Sequence, residues 1–387
     1  MPTIDTARVR TLFPAVENTL YLDAGLQTPL SLPVKAELDR FYESAMALGG
    51  PKADWLDHVE VVRTKLAAFL GGRPEEIAFT KNTSEGLNIC ANGVRWQPGD
   101  NVVLLDTEHP NNAYAWLARR PDGLQVRLVP NDKAWADAET FAPHVDDKTR
   151  AIAISQVMFH NGQLNDIASI ASFASERGIP LVLDPMQAVG VVPLNARELG
   201  VTALASGTHK GLLIPQGLGF IWTSQPREDF PPTYVANSSL ATARADFIPD
   251  AGPMEFLATA QRFEIGNFNI PGIYALGGAL DLINSVGVEN IAEHAYALGD
   301  QLITGLDDLG VQLAGPRERT HRAPHIYVLA LTNPQFLSYF ADNNVRVSPE
   351  RQGIRVSFGM YSTPEDVERF LSVLKAALDV VPARASA

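Results

Sequence analysis

A chain of 387 residues exceeds one small domain and suits two lobes around a cleft. With 46% hydrophobic and 19% charged residues, it has enough apolar material for a large core. Its net charge of −13 argues against nucleic acid or an anionic membrane as partner, so an anionic substrate needs a local cationic anchor.

From the N-terminus, Met1–Arg10 has no apolar run of the kind a signal peptide needs, and no stretch of about eighteen apolar residues occurs anywhere. A soluble, cytoplasmic protein is the expectation. Ile4–Pro14 reads as a short amphipathic helix and Tyr21-Leu22-Asp23 as an extended segment entering a turn. Leu30–Leu48 has helical spacing and ends at the breaker cluster Gly49-Gly50-Pro51; Trp55–Leu70 is a second helix, stopped by Gly71-Gly72. Alternating units follow: strand Ile77–Thr80, helix Ser84–Asn92, strand Asn101–Leu105, helix Asn112–Arg119. Gln125–Val129, Ala151–Val157 and Leu181–Leu183 are apolar runs of strand length, with helix Ile167–Arg177 between the last two. Ala203–Ser206 and Leu218–Trp222 read as two more strands. Nearly continuous apolar strands alternating with helices indicate an α/β fold, a mostly parallel sheet covered on both faces. From Pro271 the pattern changes to longer helices, Gly272–Val286 and Asn290–Leu309, with strand His325–Ala330 and a closing helix Thr363–Leu378. The expected division is a large domain over residues 15–268 and a smaller α+β domain from residues 1–14 and 269–387.

Ligands of an open parallel sheet sit beyond the carboxyl ends of its strands. Asp184 ends one strand there, where it either caps the following turn or meets a cation, and Gln187 follows one turn later. Lys210 follows the next strand, between the polar turn Ser206-Gly207-Thr208-His209 and apolar Leu212-Leu213-Ile214, a placement suited to a buried, nucleophilic amine. Asn82-Thr83-Ser84-Glu85-Gly86 opens a helix whose free N–H groups either receive a phosphate or form a plain N-cap. Glu108-His109 follows another strand. Phosphate donors, a ring stacker, an acid and an amine in this order are the groups that pyridoxal 5′-phosphate (PLP) requires.

These segments resemble the class V aminotransferase family of fold-type I PLP enzymes, which includes cysteine desulfurases, C–S lyases, isopenicillin N epimerase-like proteins and, more distantly, kynureninase. The likeness covers nearly the whole chain. It rests on Tyr21-Leu22-Asp23-Ala24-Gly25, Thr80–Asn88, Glu108-His109, Leu183–Gly190, His209-Lys210 with Pro215–Gly219, Phe263–Asn269, and Arg355–Phe358 with Tyr361-Ser362-Thr363. The resemblance implies that Lys210 holds PLP as a Schiff base and acts as general base at Cα. Asp184 would pair with the pyridine nitrogen, Gln187 with the phenolic oxygen, and His109 would stack on the ring. Thr83, Ser84 and His209, with Ser206 or Thr208, would anchor the phosphate. Arg355 would clamp the substrate carboxylate. It also implies a homodimer with shared active sites, Asn267 reaching the partner's phosphate.

This sequence departs from the family's pattern at three points. The stretch Asn343–Arg351 is short and lacks the persulfide-forming cysteine of the desulfurases, and the only cysteine, Cys90, lies within a helix. Phe159 stands near where an asparagine usually touches the cofactor, with Asn161 as a replacement close to the substrate. Asn267 stands where a threonine is common. The favoured activity is therefore C–S β-elimination on a cysteine S-conjugate, as in similar enzymes that tailor sulfur-bearing antibiotic intermediates. Decarboxylation-dependent oxidative deamination, transamination, epimerisation and an inactive PLP scaffold are the alternatives.

Overall fold

The computed structural model describes residues 4–224, 230–242, 248 and 252–382; the outermost residues of the expected small domain, 1–3 and 383–387, lie outside them. In chain order the strands are β1 (Leu20–Tyr21), β2 (Ile77–Thr80), β3 (Asn101–Leu105), β4 (Gln125–Val129), β5 (Thr149–Ser155), β6 (Leu181–Asp184), β7 (Ala203–Gly207), β8 (Gly219–Thr223), β9 (Ile326–Leu329), β10 (Val345–Arg346), β11 (Ser348–Glu350) and β12 (Gly353–Ser357). The helices are α1 (Thr6–Arg10), α2 (Leu32–Leu48), α3 (Lys52–Phe69), α4 (Thr83–Gly93), α5 (Pro110–Leu117), α6 (Ala138–Phe141), α7 (Ile167–Ser175), α8 (Ile270–Val286), α9 (Val288–Asp308), α10 (Gln335–Asp342) and α11 (Pro364–Val380).

Seven strands form the central sheet in the order β2-β8-β7-β6-β5-β3-β4. Only the pairings of β8, with β2 and with β7, are antiparallel. Two antiparallel steps return β2 to the direction of β7, so the ends of β2, β5, β6 and β7 share one edge. Both faces are buried, and the strand period shows it. Val103, Leu105, Ile152, Ile154, Leu181 and Leu183 pack into one core; their neighbours Val102, Leu104, Ala151, Ala153 and Val182 pack into another. This is the α/β architecture expected from the sequence. None of the described helices is long and apolar enough to cross a membrane.

The C-terminal lobe is built on the antiparallel order β11-β12-β9, with α9, α10 and α11 around a core of Leu302, Leu329, Phe336, Phe340, Val356 and Phe370. The sequence pattern points to β9 but not to β11, which is Ser348-Pro349-Glu350, nor to β12, where Arg355 and Ser357 interrupt the apolar run. The N-terminal segment joins the lobes. Val9 and Phe13 pack in the large core, Arg10 pairs with Asp366 on α11, and β1 lies parallel to β10.

Helix α5 begins two residues before its expected start. Pro110 occupies its first turn, where no N–H is needed, and the His109 ring caps it, Nδ1 accepting from the Asn111 N–H at 3.1 Å. One buried ion pair fastens the sheet edge. Arg63 on α3, 1% exposed, donates to Glu264 at 2.6 Å and to the Ile77 carbonyl at 3.0 Å, while Glu264 accepts from the Phe79 N–H at 2.8 Å. Removing one partner strands a buried charge, so Arg63→Ala is expected to cost about 3–5 kcal/mol. A thermal unfolding midpoint equal to wild type would remove this role.

Candidate active site

A cavity of about 490 Å³ opens at the shared edge, beyond the ends of β2, β5, β6 and β7. At one end lies the start of α4. Asn82 caps it through Oδ1, which accepts from the Glu85 N–H at 2.9 Å. The N–H groups of Thr83 and Ser84 have no acceptor within the helix, and both residues line the cavity together with His209. Glycine is required where β7 meets this turn. A Cβ at Gly219 would lie 2.7 Å from backbone atoms of Asn82 and Ser206, and one at Gly86 would lie 2.7 Å from Ala205. The first α4 turn is thereby seated directly on the sheet, with its N–H groups at the cavity.

Asp184, 6% exposed, closes β6. Its Oδ1 accepts from the Met186 N–H at 2.9 Å, and Oδ2 has no hydrogen bond among the described residues. Burial pushes this carboxyl up to about 6, against the pull of the Met186 bond and the Lys210 charge. Gln187 donates from Nε2 to the Gly25 carbonyl at 2.9 Å, while its buried Oε1 has no partner. The cavity that Gln187 lines offers that unmet oxygen room for a ligand or a water. His109 also lines the cavity, its ring 4.8 Å from that of Phe159 in an edge-on contact. Burial, with the Lys210 charge adding, lowers His109 to about 4, so the ring is neutral at pH 7.

Lys210 enters from the loop after β7. Its carbonyl accepts from Thr28 Oγ1 at 2.7 Å and from the Leu213 N–H at 3.0 Å, and Leu213 turns the chain at a left-handed φ of 62°. Its side chain is half-buried, and the amine has no hydrogen-bond or ion-pair partner among the described residues. Burial lowers this amine to about 8, helped by the Arg355 charge and opposed by Asp184, Glu350 and Asp23.

Thus Thr83, Ser84, His109, Asp184, Gln187, His209 and Lys210 come together around one space. Arg355 lies just behind it, 3% exposed on β12; its Nη1 donates to the carbonyl of cavity-lining Phe159 at 3.2 Å and to Glu350 at 2.5 Å. Other expected residues stand elsewhere. Ser206 and Thr208 are fully buried, and their hydroxyls donate to the carbonyls of Gly207 (2.9 Å) and Leu218 (2.8 Å), bracing the lysine loop. Asn161 shapes a tight turn, its Oδ1 accepting from the Gln163 N–H at 3.0 Å. Asn267 is exposed and accepts from Lys52 at 3.2 Å, outside this cavity.

Sequence reasoning did not single out Ser155 and Val157 as cavity walls. The period of two that β5 establishes, carried past its end, sets Ser155, Val157 and Phe159 on one side. Nor did it assign Glu108, which accepts from the N–H and Oγ of Ser155 (2.8 and 2.6 Å) and from Asn112 (3.0 Å); burial pushes it up to about 7. A second cavity, about 540 Å³, lies at the opposite edge where β5–β7 begin, and none of these groups lines it.

Helix-start donors, an acid with a free oxygen, an amide nitrogen with one N–H uncommitted and an unpartnered amine around one space fit the phosphate, ring nitrogen, phenolic oxygen and aldehyde of PLP. The family model described as "Aminotransferase class-V" matches residues 20–370. An uncharacterized aminotransferase of Schizosaccharomyces pombe is 35% identical over 372 residues, covering 95% of this chain and 94% of its own. Among solved structures, a cysteine desulfurase of Thermococcus onnurineus aligns with a TM-score of 0.88 and 24% identity, over 98% of this chain and 99% of that one. The cystine C–S lyase C-DES, solved with its reaction product cysteine persulfide, aligns at 0.84 and 22% identity, over 94% and 99%. A C-DES mutant carries glycine covalently linked to its PLP cofactor.

Proposed function

Since the chain belongs to the class V aminotransferase family and is a PLP-dependent enzyme, we propose that it is a C–S β-lyase acting on a cysteine S-conjugate. The observation that carries this reading is the hairpin of β11 and β12. It turns tightly through Arg351 and Gln352, beside Arg355, and offers no thiol to accept sulfur. The one cysteine, Cys90, is fully buried in α4, and burial pushes its thiol up to about 12. Sulfur that leaves Cβ then departs on a small molecule, as the product named for C-DES does.

When bound, PLP supplies an aldehyde for the substrate's amine and an electron-poor ring that takes up the electrons of a bond broken at Cα. The chain's residues divide the remaining work. The N–H groups of Thr83 and Ser84, with His209, hold the phosphate at the positive end of α4. Asp184 would keep a proton on the ring nitrogen, Gln187 would donate to the phenolic oxygen from the second N–H of its Nε2, and neutral His109 would stack on the ring. Arg355 binds the substrate's carboxylate. The Lys210 amine, at about 8, is poised near neutral pH to take the proton from Cα. The Cβ–S bond then breaks with its electron pair on sulfur. Hydrolysis of the remaining three-carbon unit gives pyruvate and ammonia.

Holoenzyme incubated with cystine or S-alkyl-cysteines is expected to release pyruvate and ammonia in equal amounts. Alanine as the carbon product, or carbon dioxide with an aldehyde, would sink the lyase reading. Arg355→Lys loses the planar fork and is expected to raise KM at least about tenfold with a smaller change in kcat. An unchanged KM would remove Arg355 from substrate binding.

The proposal includes a homodimer. Leu26, Leu30, Leu32, Met46 and Leu48 expose apolar side chains along one segment. Exposed Asn267 is bonded to Lys52, which opens α3 shortly after that patch in the chain, and in this reading it reaches a neighbouring site. A monomeric mass by light scattering would overturn this.

A further inference from the structure

We infer that Glu350 sets the charge preference of the site, disfavouring amino acids with an anionic side chain and favouring those with a cationic one. The inference rests on the reading of Arg355 as the anchor for the substrate's carboxylate. That guanidinium is not a bare cation. Its Nη1 is held by Glu350 Oε1 at 2.5 Å and by the Phe159 carbonyl at 3.2 Å, and Asp23 Oδ1 stands 3.9 Å from Nη2. Its Nε is buried without a partner, facing Gly25, where a Cβ would come within 3.3 Å. Glu350 therefore reduces the positive charge that Arg355 presents to the cavity.

Glu350 is held in place by the hairpin. It pairs across to Gly353 beside a two-residue turn, and Ser348 of the same strand pairs with Arg355 and donates to Asp23 at 2.5 Å. Its side chain is 10% exposed, so water screens it weakly, and Oε2 has no partner among the described residues. Its charge is felt in the cavity, where it opposes the effect of Arg355 on the Lys210 amine. A substrate whose α-carboxylate is taken by Arg355 brings its side chain into this field. A cationic end is attracted by the unpaired Glu350 oxygen and an anionic end is repelled by it, Lys81 and Lys210 being the lysines that line the cavity.

Three cysteine S-conjugates of similar length separate the outcomes: S-aminoethyl-, S-propyl- and S-carboxymethyl-cysteine. Their binding to holoenzyme is titrated through the change in the cofactor's visible absorbance, which does not depend on turnover. In wild type the aminoethyl compound is expected to bind at least about tenfold more tightly than the carboxymethyl compound. Glu350→Gln is expected to shrink that ratio about fivefold or more, and Glu350→Asp, which keeps the charge, to preserve most of it. A uniform loss of affinity for all three in Glu350→Gln would mean that Glu350 only braces Arg355, and would overturn the inference. So would equal affinities in wild type. If none of the three perturbs the wild-type spectrum, both this inference and the amino-acid reading fall. A charge-dependent ratio without pyruvate sinks the lyase reading alone.

Discussion

Lys210→Ala is expected to abolish the covalent hold on PLP and to lower turnover at least about a thousandfold. In the proposed function two separate jobs fall to that amine: it would condense with the cofactor's aldehyde and, once freed, take the proton from Cα. No other lysine lining the cavity shares its burial: Lys81 is exposed. The same geometry predicts a pH profile for cofactor capture by apoprotein. Attack on an aldehyde requires the neutral amine. With its value lowered to about 8, roughly one Lys210 in ten is neutral at pH 7, against fewer than about one in a thousand for an ordinary lysine. The capture rate is expected to rise about tenfold per pH unit below pH 8 and to level off above it. A rate still climbing at pH 10 would mean that burial does not tune this residue. Folding of the alanine variant is checked by its thermal midpoint, which should hold, since the amine has no partner to lose.

The second large effect belongs to Asp184. Asp184→Asn keeps size and the bond from the Met186 N–H but removes the charge, and turnover is expected to fall about 10²–10³-fold with the fold intact. A neutral amide cannot hold a proton on the ring nitrogen, and without that proton the ring takes up electrons from Cα poorly. The carboxyl's own titration gives a companion result. Burial raises it to about 6 in the protein alone, so below pH 6 it is increasingly protonated and its attraction for a protonated ring fades. Retention of PLP in equilibrium dialysis is expected to weaken as pH falls through 6 in wild type and to lose that dependence in Asp184→Asn. Equal turnover in the two proteins would remove Asp184 from the chemistry.

Much of the site is legible in the sequence because strand ends are. Asp184 closes a short apolar run and Lys210 follows the next one by a short polar turn, and in a parallel sheet two such ends must share an edge. Thr83 and Ser84 are legible for a related reason: a polar turn between a strand and a helix exposes N–H groups at that same edge. What the sequence hides depends on contacts between distant segments. Thr208 is a small hydroxyl residue near the lysine, yet its oxygen goes to the carbonyl of Leu218, because the lysine loop folds back on the Leu218 turn, while Ser206 turns to the adjacent Gly207 carbonyl. Asn161 is spent on its own turn, leaving Phe159 at the wall. The pairing of Arg355 with Glu350 is equally hidden. Five positions apart in the chain, they meet because a two-residue turn folds β11 onto β12, and Ser348-Pro349-Glu350 has no apolar run to mark it as a strand.

The most direct test of the covalent assignment is reduction of PLP-loaded protein with sodium borohydride, followed by proteolysis and mass spectrometry. The label of reduced cofactor is expected on the peptide containing Lys210 and on that residue alone. Label on another lysine, or none in a protein that has bound PLP, would contradict the placement of the cofactor between the amine of Lys210 and the carboxylate of Asp184.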